Sequence, residues 1–188
     1  MKKIFKYLIV MFLMINFAKA ENINGWFVSF GGGFSSASTD FKDGSKSWQS
    51  GEQDIDGLAM SLKLGYGVSD DLTIYLFRNS VIGKYENDPS DDAYGNCVSG
   101  LGFNYYLDSS NIFYIIAGAG EGEFSKVSDA VDDTYIGDGY MLGFGVNLTS
   151  NWHLELTHLR TDIDDRVDNN RISLETQATQ VLINYYWH

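Results

Sequence analysis

The sequence predicts an all-β chain, an eight-stranded antiparallel up-and-down transmembrane β-barrel. Three observations carry that prediction. Eight segments of roughly ten or more residues alternate apolar and small or polar side chains. Tight turns and long acidic stretches join them in alternation. Trp26, Trp152 and Trp187 fall at strand ends that would all meet one membrane surface.

The first predicted strand, Gly25–Ser36, sets Trp26, Val28, Phe30 and Phe34 against Ser29, Gly31, Gly33 and Ser35. The second, Gly57–Ser69, alternates most cleanly, with Leu58, Met60, Leu62, Leu64, Tyr66 and Val68 on one face and Ala59, Ser61, Lys63, Gly65 and Gly67 on the other. A period of two with one wholly apolar face is a strand pattern. After a turn at 68–72, the third strand, Leu72–Ile82, is apolar on both faces, and its facing stays open.

In the fourth, Tyr94–Leu107, Cys97, Leu101, Phe103 and Tyr105 oppose Asn96, Gly100, Gly102 and Asn104. The fifth, Ile112–Phe124, gives Phe113, Ile115, Ala117 and Ala119 to lipid. The sixth, Tyr135–Leu148, places Tyr140, Leu142, Phe144 and Val146 opposite Gly139, Gly143, Gly145 and Asn147. The seventh, Trp152–Asp162, sets Trp152, Leu154 and Leu156 against His153, Glu155 and Thr157. The eighth, Ile172–Trp187, sets Val181, Ile183, Tyr185 and Trp187 against Gln180, Asn184 and Tyr186. The short turns leave longer connections at Ala37–Asp56, Gly83–Ala93, Ser125–Thr134 and Ile163–Arg171.

Short turns are periplasmic in outer-membrane barrels and long loops extracellular. That places Trp26, Tyr105, Phe113, Trp152, Tyr185 and Trp187 in a periplasmic aromatic belt, where rings sit in lipid and polar tips in water. Phe34, Tyr94, Phe124 and Tyr135 form the expected outer belt. A soluble barrel or sandwich would need the Gly- and Ser-rich face as its surface, which carries too few charges for that role.

Residues 1–20 read as a secretory signal peptide. Lys2, Lys3 and Lys6 precede the apolar run Tyr7–Phe17, and Ala18-Lys19-Ala20 supplies a small-x-small cleavage site. Residues 21–188 are then the barrel domain. Four of the 13 basic residues and none of the 25 acidic ones lie in the leader, so cleavage moves the net charge from −12 to −16. An acidic chain is a poor partner for nucleic acid. The single Cys97 excludes an intrachain disulfide and a thiolate metal cluster.

The leader, the eight-strand meander and the aromatic C-terminus resemble OmpA/OmpX-type small outer-membrane β-barrels across nearly the whole mature chain. The most specific local match is Gln180-Val-Leu-Ile-Asn-Tyr-Tyr-Trp-His188. There Val181, Ile183, Tyr185 and Trp187 look like the C-terminal signal read by the family's barrel-assembly machinery, with Trp187 and a following His188 where the family usually ends on Phe. Leu154–Asp162 looks like the family's late strand running into a Thr-Asp. The larger relatives' C-terminal peptidoglycan-binding domain is not expected in this chain.

Eight strands leave an interior that side chains can fill, so a wide porin channel is not expected. Lys63 and Glu155 both point inward at similar depth and are expected to form an interior ion pair; separate solvation by trapped water is the competing reading. No catalytic site, cofactor or metal is expected. His158 is the histidine best placed for lipid A acyl chemistry, with Asp162 and Asp164 as possible acids, but no nucleophile accompanies it and the His-x-Ser of the deacylase barrels is absent. Asp164–Glu175 has the length of a calcium loop, yet Arg166 occupies a ligand position and Asn169 replaces the Gly.

Eighteen of the 25 acidic residues lie between the strands or at their outer rims, with six basic residues among them. The expected protein is therefore a monomeric outer-membrane barrel with a structural or adhesin-like surface role, its acidic extracellular loops forming the contact surface. Outer-membrane lipid and lipopolysaccharide are its expected surroundings, and a host-surface or phage ligand a possible loop partner. A narrow low-conductance channel and a lipid A-modifying enzyme are the second and third readings.

Overall fold

A computed structural model describes residues 25–41, 52–85, 93–107, 111–127, 132–167 and 170–188. The strands are β1 (Gly25–Phe41), β2 (Glu52–Ser69), β3 (Leu72–Tyr85), β4 (Ala93–Tyr106), β5 (Phe113–Val127), β6 (Asp132–Asn147), β7 (Trp152–Val167) and β8 (Asn170–Trp187). Each pairs antiparallel with its sequence neighbours, and β1–β8 pairing closes the barrel. Among the described residues no helix is long and apolar enough to cross a membrane.

The register fixes the barrel's shape. From Trp26 the row of paired residues runs through Tyr66, Ile74, Phe103, Ala117, Leu142, His158 and Thr179. It returns to β1 at Ser36, ten residues further along. That stagger tilts every strand and makes an eight-stranded barrel narrow enough for side chains to fill. On β1 the outward apolar run from Trp26 to Phe34 is about 20 Å tall at a typical tilt, close to the ~25 Å band of outer-membrane barrels. Outward Leu62, Leu64, Leu76, Leu101, Phe103, Leu142 and Phe144 continue the band around the wall.

Sequence periodicity leaves β3 open because both of its faces are apolar. Its outward residues are Ile74, Leu76, Arg78 and Ile82, and its inward ones are Thr73, Tyr75, Phe77, Asn79 and Val81. The inward rings fill space that glycines leave on β4 and β5. A Cβ on Gly102 would lie 2.7 Å from the Tyr75 ring, and one on Gly118 would lie 2.6 Å from Phe77. A Cβ on Gly145 would run into Tyr114. The glycine-rich interior is thus packed by aromatic rings inserted over the glycines.

Short connections knit one end together. The Tyr106 amide donates to Asp71 O at 2.8 Å, and Asn147 N to Ile112 O at 2.8 Å. Asn151 Nδ2 donates to Tyr186 O at 2.7 Å. Asn111, with φ 52°, takes the left-handed turn conformation that Asn tolerates. Val68 is the extra residue of a bulge where β2–β3 pairing shifts between Gly67 and Ser69.

Two expectations need correction. All four long connections are shorter than predicted, because the ladders run on past the apolar band. The predicted 163–171 connection is almost wholly hairpin arm, with Asp164 opposite Ser173 and Val167 opposite Asn170. Above the band outward side chains meet water, so the sequence loses its apolar alternation while backbone pairing persists. The expected outer belt also fails. Phe34 does face outward, but Tyr94, Phe124 and Tyr135 point into the barrel and are buried. They pack with Ile163, Leu174 and Ala37 as an apolar interior layer at the long-loop end. Cys97 has outward parity but is covered, and Ser80 Oγ donates to its Sγ at 3.4 Å.

One ladder stops early. β6–β7 pairing ends at Asp138 opposite Asp162, although β6 reaches Asp132 and β7 reaches Val167.

Candidate functional site

The interior holds a polar cluster within the apolar band. Lys63 lies between outward Leu62 and Leu64 on β2, and Glu155 between outward-facing Leu154 and Leu156 on β7, two strands that are not neighbours. Both side chains are 0 % exposed, and Lys63 Nζ donates to Glu155 Oε1 at 2.5 Å and to Oε2 at 2.7 Å. Its third proton reaches the Tyr186 hydroxyl oxygen at 3.2 Å. Tyr114 and Tyr186 donate to Glu155 Oε1 at 2.9 and 3.1 Å. With its proton on Glu155, the Tyr114 oxygen can only accept from His153 Nδ1 at 3.2 Å, which assigns the His153 proton to Nδ1.

Aromatic rings enclose this cluster. His153 stacks on Tyr186 with centroids 3.9 Å apart, and the Lys63 ammonium lies 5.2 Å from the Tyr75 ring centroid. Every proton of the ammonium is taken and both carboxylate oxygens are occupied, the condition under which a buried pair offsets its desolvation. Chemically the cluster is a cross-barrel tie. A second polar layer lies toward the long-loop end, where Gln180 accepts from Asn79 at 3.3 Å and Thr157 at 3.1 Å.

The outward surface changes character just above the band. The register sets Glu121 opposite Asp138, Asp138 opposite Asp162, Asp162 opposite Glu175, and Glu175 opposite Asp40. Five carboxylates thus form one ascending row over β5, β6, β7, β8 and β1. Directly opposed like charges repel, and arginines offset part of this. Arg160 contacts Asp162 at 2.9 Å and Glu175 at 3.4 Å, and Arg78 contacts Glu123 at 3.0 Å. The acidic content of the rims is plain in the sequence, but the row is not. Counting register outward from the three short turns is the signal that finds it.

The structure brings Lys63 and Glu155 together. It sets Trp26, Tyr105, Phe113, Trp152, Tyr185 and Trp187 on the outward face toward the short-turn end, with Trp152, Tyr185 and Trp187 in edge-to-face contact. Val181 and Ile183 continue that face along β8. It does not assemble the residues weighed for acyl chemistry. His158 Nδ1 lies 3.2 Å from Thr179 Oγ1 on the outward face, while Asp162 is held by Arg160. Among the described residues no group of His, Cys, Asp and Glu could hold a metal ion. The leader at 1–20 and the loop residues Asp43, Glu86, Asp88, Asp91, Asp92, Asp129 and Asp168 lie outside the described residues, as do the side chains of Glu52, Asp54, Asp132, Asp133 and Asp165.

No protein-family model and no curated protein sequence matches the chain. Solved structures do. Neisserial surface protein A is similar at 16% identity and a TM-score of 0.57, over 86% of this chain and 97% of that one. Ail, the attachment invasion locus protein of Yersinia pestis, is similar at 14% identity and a TM-score of 0.52, over 87% and 99%. OprG of Pseudomonas aeruginosa is similar at 19% identity and a TM-score of 0.50, over 91% and 99%. The closed eight-strand register, the outward apolar band and these full-length likenesses together give the chain the fold of the OmpA/OmpX-type small outer-membrane β-barrels.

Proposed function

We propose that the chain is an integral outer-membrane protein that presents a rigid acidic rim at the cell surface for contact with other molecules. The observation that carries this reading is the division of labour across the wall. The outward face is apolar for one membrane thickness and then turns to carboxylates, while the interior carries packed rings and the Lys63–Glu155 cluster. Outer-membrane lipid and lipopolysaccharide would surround the band, with the short turns periplasmic. Val181, Ile183, Tyr185 and Trp187 on β8 would be read by the assembly machinery, after removal of residues 1–20.

The charge of the rim bears on the kind of contact. Ail has been crystallised with the heparin analogue sucrose octasulfate, a polyanion. The carboxylate row here favours cationic partners. The packed interior weighs against the channel reading, with Tyr94, Phe124, Tyr135, Ile163 and Leu174 buried within it at the long-loop end.

Membrane fractionation with heat-modifiable gel mobility tests the anchoring. The expected result is outer-membrane recovery and a band that shifts only on boiling; a soluble, unshifting protein overturns the reading. Surface contact is tested by attachment to cationic beads and epithelial cells. Changing Asp138, Asp162 and Glu175 to Asn or Gln is expected to reduce attachment several-fold, and unchanged attachment removes the rim from the account.

A further inference from the structure

We propose that the seam where β6 and β7 part is a strand-addition site for an extended, basic polypeptide segment. This deepens the surface-contact reading above and rests on it. Seven of the eight strand pairs are hydrogen-bonded to within a few residues of the strand ends at the loop side. β6–β7 pairing instead stops at Asp138 opposite Asp162, leaving Asp132–Gly137 of β6 and Ile163–Val167 of β7 beyond the last rung. Each arm is held on its other side, β6 by β5 as far as Val127 opposite Asp132, and β7 by β8 as far as Val167 opposite Asn170. The strands still touch at the first step past that rung, where a Cβ on Gly137 would lie 2.7 Å from Ile163 Cα, so the free edges begin at Ile136 and Asp164. Strands that run on past the end of their shared ladder are a template for another chain.

Depth and charge identify the occupant. Correcting for the ten-residue climb, the last rung lies roughly 6–9 Å above the level of Phe34. The seam therefore opens above the apolar band, in water, and admits a polypeptide from outside in preference to a lipid chain. Asp138 stands on one arm and Asp162 and Asp164 on the other, with Arg160 on β7 taking up part of the Asp162 charge. Carboxylates on both arms oppose pairing between two copies of this seam and favour a strand carrying lysine or arginine. Main-chain hydrogen bonds would supply the affinity and the carboxylates the choice of partner.

The test uses the full chain in lipid nanodiscs and a synthetic ten-residue peptide of alternating lysine and threonine. A second peptide of the same sequence is N-methylated at alternate amides, which keeps its charge and removes the strand-forming N–H groups. The seam is also closed by Ile136→Cys with Asp164→Cys in a Cys97→Ser background, positions that would face each other if the ladder continued. Binding of the plain peptide is expected, with at least a ten-fold loss on N-methylation and a comparable loss in the oxidised double-cysteine protein that reduction reverses. Failure of the plain peptide to bind, equal binding of the methylated peptide, or equal binding by oxidised and reduced protein each overturns the seam. The broader reading fails separately, if the open protein attaches to neither cationic beads nor cells.

Discussion

Removing Lys63 leaves the Glu155 carboxylate buried with two tyrosine hydroxyls, those of Tyr114 and Tyr186, and no countercharge. Lys63→Met alone is expected to cost about 3–5 kcal/mol of stability, as for other broken buried pairs. Adding Glu155→Gln is expected to recover part of that, and urea unfolding in lipid vesicles measures the coupling; additive losses would show that the two groups do not act as a unit. Glycines divide in the same way. Gly145→Ala would push into the Tyr114 ring and is expected to cost about 1–3 kcal/mol. Gly32→Ala meets nothing nearer than 4.0 Å on the outward face and is expected to be neutral or to stabilise slightly. Two inward charges of opposite sign at similar depth made the pair legible in the sequence. Tyr186 was legible as inward, but Tyr114 was not, because an aromatic among small residues looks like a break in the pattern. Only Gly145, opposite it on β6, explains why that ring fits.

At the scale of the strand, what was legible depended on what each face touches. β2 and β6 alternate strictly because one face meets lipid and the other holds small residues under rings from adjacent strands. β3 does not, because its inward Tyr75 and Phe77 are the rings that fill glycine gaps on β4 and β5. Strand ends at the loop side were illegible for a different reason. There the outward face turns polar and the inward face carries rings such as Tyr94, Phe124 and Tyr135, so the lipid-face alternation is lost while backbone hydrogen bonding leaves no trace in side-chain hydropathy. The same logic makes cost depend on depth. Leu64→Lys, near the middle of the band, is expected to cost about 2–4 kcal/mol, and Ser36→Lys above it about 0–1 kcal/mol. Matched unfolding curves check this, and equal costs would mean that the band is misplaced.

For the whole molecule, closure of the ring and filling of its interior have one joint outcome. A planar bilayer containing the purified protein is expected to show no steady conductance, since aromatic and aliphatic layers and the Lys63 cluster occupy the section in turn. Sustained, reproducible current steps would require the interior to rearrange and would revive the channel reading. The acidity of the rim was legible from composition, whereas its alignment into a row depends on eight registers at once.

Those registers also limit how the chain can change in length. Removing one residue from β2 between Lys63 and the turn at 70–71 would turn over every side chain on one side of the cut. Leu62 and Leu64 would then enter the crowded interior and Lys63 would face hydrocarbon, or else all the β1 and β3 partners would have to slide by one. The same deletion within residues 42–51, between β1 and β2, disturbs no rung among the described residues. Variation in length is thereby steered to the connections at the long-loop end, and a lineage of such barrels can exchange what it shows to the outside while the wall keeps a constant count.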